Sequence, residues 1–214
     1  MNLQKLFAAQ AELDAYIEQQ HPRRPGENRL EKKVLALLVE LGECCNEWRG
    51  FKFWSNDQTA NDLEWVDKEC KSCKGTGIDV EGVALGNPYP CIECQGESFV
   101  AYPKNPLLEE YVDVLHFSLS VGNDVFGELS DENVKEILED SRKTDEASSV
   151  ITTFIILNSC ATVLAEYEFE YVDYRNFMTI LLNLGLLLGF TEEQIEQAYW
   201  KKYEINKQRQ RDGY

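Results

Sequence analysis

The stretch Val34–Trp54, VLALLVELGECCNEWRGFKFW, decides how the rest of the chain is read. At helical period, Leu30, Val34, Leu37, Leu38, Leu41 and Cys45 form one apolar stripe that Trp48 extends. Glu40 and Glu43 stand three residues apart, which places them on one face about 4.5 Å apart along the axis. Glu47 follows four residues later on the same side. Like charges at this spacing repel, so a plain surface helix gains nothing from such a ridge. A hard divalent cation reverses the sign, because Mg²⁺ takes its ligands from carboxylates, water and phosphate. The alternative reading is a solvated acidic face.

A second stretch repeats the pattern. Leu107–Ser120, LLEEYVDVLHFSLS, is amphipathic, with Leu108, Tyr111, Val112, Leu115 and Leu119 as its expected buried side. Within it Glu110 and Asp113 form another carboxylate pair three residues apart. Two helices that each carry such a pair can face one another and close a four-carboxylate cage in a bundle core. Four carboxylates balance two Mg²⁺ ions and leave room for phosphate oxygens, the arrangement of a two-metal phosphoryl-transfer site.

The words ELGE at 40–43 and EYVD at 110–113 resemble the signature of the all-α nucleoside triphosphate pyrophosphatase superfamily. EWRGFKFW at 47–54, LEEYVDVLHFSLSVG at 108–122 and KKYEINKQRQRDGY at the C-terminus are similar to the dimeric dUTPase family. The resemblance implies an all-α fold, a homodimer, and Mg²⁺-dependent hydrolysis of dUTP, and often dUDP, to dUMP. It assigns metal binding to Glu40, Glu43, Glu110 and Asp113; within that set we read Glu40 as orienting the attacking water and Glu47 as an outer ligand. It also implies that Gln10 and Asp14 on the first helix face the base, and that Lys52 and Trp54 contact substrate. Lys202, Asn206 and Arg209 lie with Tyr199 on one stripe of the last helix. That row suits a triphosphate: a point charge, an amide donor and a planar fork. For Gln10 and Asp14 the alternative is surface polarity, and for the C-terminal row it is a basic tail that offsets an acidic protein. At the level of the whole chain the alternatives are a pyrophosphatase for another nucleotide, such as dCTP or a damaged triphosphate, and a non-catalytic zinc-bearing adaptor.

The balance of 38 Asp+Glu against 21 Lys+Arg gives a net charge of −17, which opposes non-specific nucleic-acid binding. A polyanionic substrate then requires metal and a local cationic cluster. A chain of 214 residues suits one domain with a sizeable core. The N-terminal MNLQKLFAAQAELDAYIEQQ reads as an amphipathic helix and not a signal peptide. The longest apolar run, Val150–Ala165, is interrupted by Thr and Asn and is short for a membrane span. Seven cysteines without an export signal point to a reducing cytoplasm, where metal binding outranks disulfides.

Four of those cysteines form two pairs, Cys70-x-x-Cys73 and Cys91-x-x-Cys94, with seventeen residues between them. Each pair can place two thiolates on one ion through a tight turn, and the two together close a tetrahedral, structural Zn²⁺ site. CKSCKGTG resembles the zinc knuckles of the DnaJ-type cysteine-rich domain, and CIECQGES is an imperfect partner. Residues 66–102 are therefore read as a zinc-bound insertion within a single 1–214 domain. Removing them shortens the separation between Glu43 and Glu110 from 66 residues to 29, a length that suits a helical hairpin. Further helices are expected over 2–20, 29–49, 131–142, 146–169 and 171–188, and from 192 onward. Gly50 is read as the left-handed C-terminal stop of the second of these, and Gly122 as the start of a connection.

Overall fold

A computed structural model of the chain describes residues 1–143, 149–166 and 169–213. Two compact units are present, one formed by 1–60 with 107–214 and the other by 61–106.

The larger unit is helical throughout: α1 (Leu3–Gln20), α2 (Arg29–Trp48), α4 (Pro106–Phe126), α5 (Asp131–Ser141), α6 (Val150–Val163), α7 (Tyr171–Leu187) and α8 (Glu192–Arg211). The smaller unit holds α3 (Val80–Ala84) and the strands β1 (Glu64–Glu69) and β2 (Phe99–Lys104). The two strands pair antiparallel, from Glu64 opposite Lys104 to Glu69 opposite Phe99. The expected all-α class holds for the helical unit, and a short β ribbon is added in the cysteine-bearing one.

Side-chain caps fix the helix starts. Asn2, Asn28, Ser130, Ser149 and Thr191 each accept an N–H from the first turn of their helix. Thr191 and Gln194 complete a reciprocal capping box. The end of α2 corrects one expectation. Arg49, not Gly50, takes the left-handed conformation, with φ 64° and its N–H bonded to Cys45 O. Gly50 is required for a different reason, since a Cβ there would lie 2.4 Å from the Trp48 ring.

Helix α4 is the centre of the unit, and none of its residues from 107 to 123 is exposed. It runs on to Phe126 instead of stopping before Gly122. Two reciprocal contacts join it to α7. Tyr111 of α4 donates its hydroxyl to Leu181 O at 3.1 Å, and Tyr174 of α7 donates to Ser118 O at 3.0 Å. Each tyrosine lies over a glycine of the other helix: a Cβ at Gly185 would meet the Tyr111 hydroxyl at 2.6 Å, and one at Gly122 would meet the Tyr174 hydroxyl at 2.2 Å. The helix expected over 146–169 is observed as Val150–Val163; residues 144–148 and 167–168 lie outside the described set. No described helix is long and apolar enough to cross a membrane.

Candidate active site and cysteine cluster

Helices α1, α2, α4 and α8 line a cleft of about 870 Å³. From α2 and α4, single oxygens of Glu40, Glu43 and Glu110 come within 4.8 Å of one another. Burial pushes the Glu40 carboxyl up to about 7, and the neighbouring charges of Asp113, Glu43 and Glu110 push the same way against Lys202. Glu110 is raised in turn, first by burial and then by Asp113 and Glu43. Crowded acids that hold protons they would lose in water are what a cation site looks like in the absence of positive charge. The oxygen-only donor set fits Mg²⁺. Glu47 adds its field to Glu110 from the next turn of α2.

Asp113 plays a different part from the other three. Its carboxylate is bound by the ammonium of Lys202 from α8. Burial raises its pKa, while Lys202 and then Arg209 oppose the rise. Glu40 and Asp113 line the cleft together with Lys202, Asn206 and Arg209, so the C-terminal row reaches the same space as the carboxylates.

Gln10 and Asp14 of α1 also line the cleft. Gln10 Nε2 donates to Asp14 Oδ1 at 2.8 Å. Asp14 Oδ2 receives Ser120 Oγ at 2.5 Å and Lys33 Nζ at 3.3 Å. Gln10 Oε1 lies 2.7 Å from His116 Nδ1 and receives the Tyr199 hydroxyl at 3.1 Å. The His116 ring stacks on Tyr199, with centroids 4.2 Å apart and planes 12° from parallel. Burial drives its pKa down to about 3, against an upward pull from the Tyr199 main-chain carbonyl, so the imidazole is neutral.

Lys52 and Trp54 are not among the cleft-lining residues. They lie in the turn after α2, where Trp54 packs edge-on against Phe51 and Phe53 and is 65 % exposed. Sequence reasoning passed over His116, Ser120, Lys33 and Asp124 as cleft residues. A signal for three of them was present, since Glu110, Asp113, His116, Ser120 and Asp124 continue one helical stripe at steps of three and four.

In the smaller unit Cys70, Cys73, Cys91 and Cys94 are buried, with Sγ–Sγ separations of 3.9 Å for 70–91 and 3.7 Å for 73–94. Four sulfurs at ~2.3 Å from a tetrahedral Zn²⁺ lie about 3.8 Å apart, so the cluster has the right size. The two knuckles mirror each other. Cys70 N–H donates to Ser98 O and Cys91 N–H to Gly77 O, both at 2.9 Å. Lys74–Gly75 and Gln95–Gly96 both turn through positive φ, and Ser98 at φ 70° occupies the place that Gly77 has in the first knuckle.

No curated protein matches the chain. The family model described as dUTPase matches residues 2–73 and 98–214, which takes in α1, α2 and α4 through α8 and leaves 74–97 unmatched. Both carboxylate pairs and the C-terminal row fall inside the match, and the chain belongs to the dUTPase family.

Proposed function

We propose that the chain hydrolyses dUTP to dUMP and pyrophosphate with Mg²⁺, and accepts dUDP as a second substrate. The observation that carries this reading is the convergence of Glu40, Glu43 and Glu110 beside a cleft that Lys202, Asn206 and Arg209 also line. Glu40, Glu43 and Glu110 would hold the metal, and Asp113 joins them once Lys202 releases it, which makes a site for two ions with Glu47 outside it. When bound, Mg²⁺ supplies charge neutralisation at the phosphates and a template for in-line attack.

The chain's own residues do the rest. Lys202, Asn206 and Arg209 bind and orient the phosphate chain, which keeps a polyanion in a protein of net charge −17. We assign to Glu40 the orienting of the attacking water and the acceptance of its proton, a role supported by its membership of both the carboxylate cluster and the cleft wall. The pocket of Gln10, Asp14, His116 and Ser120 receives the base. We also assign Lys52 and Trp54 to the substrate, from the turn that follows α2. Zn²⁺ on the four cysteines has a structural role, because every coordination position is taken by sulfur.

The active species is proposed to be a cytoplasmic homodimer. Helix α6 leaves Ile151, Ile155 and Ile156 exposed, while α2, which packs on it, exposes Leu35 and Val39. Turnover of all deoxynucleoside and ribonucleoside triphosphates with Mg²⁺ tests the function. The expected result is dUTP first, by at least about tenfold in kcat/KM. A preference for dCTP would overturn the base assignment and keep the reaction. No turnover of any nucleotide would favour a zinc-bearing adaptor on an enzyme scaffold.

A further inference from the structure

The β ribbon of the 61–106 unit has two outer edges, and its own sequence blunts only one of them. No third strand pairs with β1 or β2 among the described residues. The ladder runs one step beyond the strands, where Cys70 N–H donates to Ser98 O at 2.9 Å. Bonded positions alternate in an antiparallel pair, so Val66 and Lys68 turn their N–H and C=O groups inward to Tyr102 and Val100. Those of Trp65, Asp67 and Glu69 then turn outward on β1, and those of Phe99, Ala101 and Pro103 turn outward on β2. Pro103 has no N–H to give, which blunts the β2 edge. The β1 edge keeps every donor and acceptor, and five of its six residues are exposed, Val66 being partly buried.

We infer that the β1 edge is a self-association surface, onto which a second copy of this chain adds its own β1, antiparallel and centred on Val66. The strand's sequence, EWVDKE at 64–69, selects both the partner and the register. With the two Val66 side chains opposite each other, Glu64 faces the second copy's Lys68 and Lys68 faces the second copy's Glu64. These are the positions without main-chain bonds, where side chains come closest. Trp65 and the second copy's Asp67 exchange N–H and C=O. Within each copy Tyr102 lies opposite Val66, and Lys104 lies opposite Glu64. The resulting four-stranded sheet therefore carries one unbroken apolar row, Tyr102 and Val66 followed by the second copy's Val66 and Tyr102. Beside it Lys104, Glu64 and the second copy's Lys68 alternate in charge. Sliding the strands by two residues either sets Asp67 opposite Asp67 or cuts the overlap to residues 64–66, and parallel pairing sets every charge against its like. A uniformly basic strand would suit Glu64, Asp67 and Glu69 but would oppose Lys68. Two strands alone are marginal in water, and four share the cost of the ribbon's exposed groups. The surface belongs to the 61–106 unit and not to the α2 and α6 faces named above, and it does not depend on the nucleotide reading.

The test is a disulfide trap in the full chain, with zinc content measured for every variant. In this register the two Val66 Cα atoms lie about 4.5 Å apart, within disulfide reach. Val66→Cys, oxidised with glutathione disulfide, should give a bond joining residue 66 of two copies, located by peptide mass, whereas Asp67→Cys should not. In the Val66→Cys background, Glu64→Lys or Lys68→Glu alone turns both ion pairs into like charges and should cut the yield at least about tenfold. Mixing those two variants rebuilds both pairs, so the hetero-linked product should return to within about twofold of the background yield. Hydrogen exchange on the unsubstituted chain covers the case in which residue 66 does not tolerate the change. The amides of Trp65 and Asp67 should gain protection as protein concentration rises, while those of Val66 and Lys68, bonded to β2, stay protected throughout. A trap as efficient at 67 as at 66 overturns the inference, as do single charge variants that cross-link like the background or a mixture that stays unlinked. Trp65 and Asp67 amides that exchange freely at every concentration also overturn it, and would leave the β1 edge to a different partner.

Discussion

At Glu40 the burial of the site and the field of its neighbours act on one proton. A carboxyl whose folded pKa is about 7, above its ordinary 4.5, holds its proton more tightly in the folded state. The stabilisation this gives is fully present below pH 4.5 and is lost as pH rises through about 7. Metal-free protein in EDTA should accordingly lose stability across that window. Glu40→Gln should flatten the loss, and saturating Mg²⁺ should reverse it by favouring the ionised cage. Urea midpoints for parent and variant across the window decide the matter, and equal slopes would show that the carboxylates do not share a field. Glu43→Gln is expected to do more to activity than to folding, since it keeps size and hydrogen bonding and deletes one metal-facing charge. Turnover should drop by at least about 100-fold, with a chemical midpoint in EDTA equal to or above that of the parent. Comparable turnover in parent and variant would remove Glu43 from the cage. Sequence could reach this far because i, i+3 carboxylates within apolar helices are visible as a pattern. The Gln10–His116 contact joins residues 106 apart in sequence, and no periodicity within one helix encodes a meeting between two.

The helices themselves were legible wherever caps and stripes agree, and less so where a glycine carries two meanings. Gly122 reads as a break, yet it lies inside α4 because Tyr174 needs the space a side chain would fill. Gly50 reads as a left-handed stop, yet its place is set by the Trp48 ring, and Arg49 makes the turn. Both misreadings share one cause: a glycine kept for close approach looks the same in sequence as a glycine kept for positive φ. The distinction can be measured. Gly122→Ala should destabilise by about 1–3 kcal/mol through overpacking against Tyr174. Tyr174→Phe, which leaves the glycine alone and removes only the bond to Ser118 O, should cost about 1 kcal/mol. Gly42→Ala lies in the same kind of helical context with nothing within 4 Å of the new Cβ. It should stabilise by roughly 0.5–1 kcal/mol on helix propensity alone. Thermal or urea unfolding of the three variants checks the order, and a neutral Gly122→Ala would show that α4 and α7 pack more loosely than their reciprocal tyrosines indicate.

Across the whole molecule, the two units are held together by different physics. The helical unit buries a continuous core to which each of its seven helices among the described residues contributes. The 61–106 unit has as its only buried apolar cluster Cys70, Cys73, Cys91 and Cys94, with Val100 packed against it. Its surroundings include Trp65, Val80, Val83, Leu85, Ile92 and Phe99, all exposed. Four thiols do not make a core that can outweigh the ordering of some forty residues, so the folding free energy has to come from a metal. Zn²⁺ on four thiolates supplies on the order of 10 kcal/mol in small zinc peptides, and these soft ligands do not compete with the oxygen cage for Mg²⁺. The purified chain should therefore contain one Zn²⁺, measured by elemental analysis. Stripping it with a chelator should abolish amide protection in β1, β2 and both knuckles, leaving α4 and α7 protected and turnover with Mg²⁺ mostly intact. Cys94→Ser should give the same local loss without a chelator, which separates zinc removal from any effect of the chelator on Mg²⁺. Well under one zinc per chain would refute the site, whereas loss of protection in α4 together with the knuckles would show that the helical unit depends on the metal for its own fold.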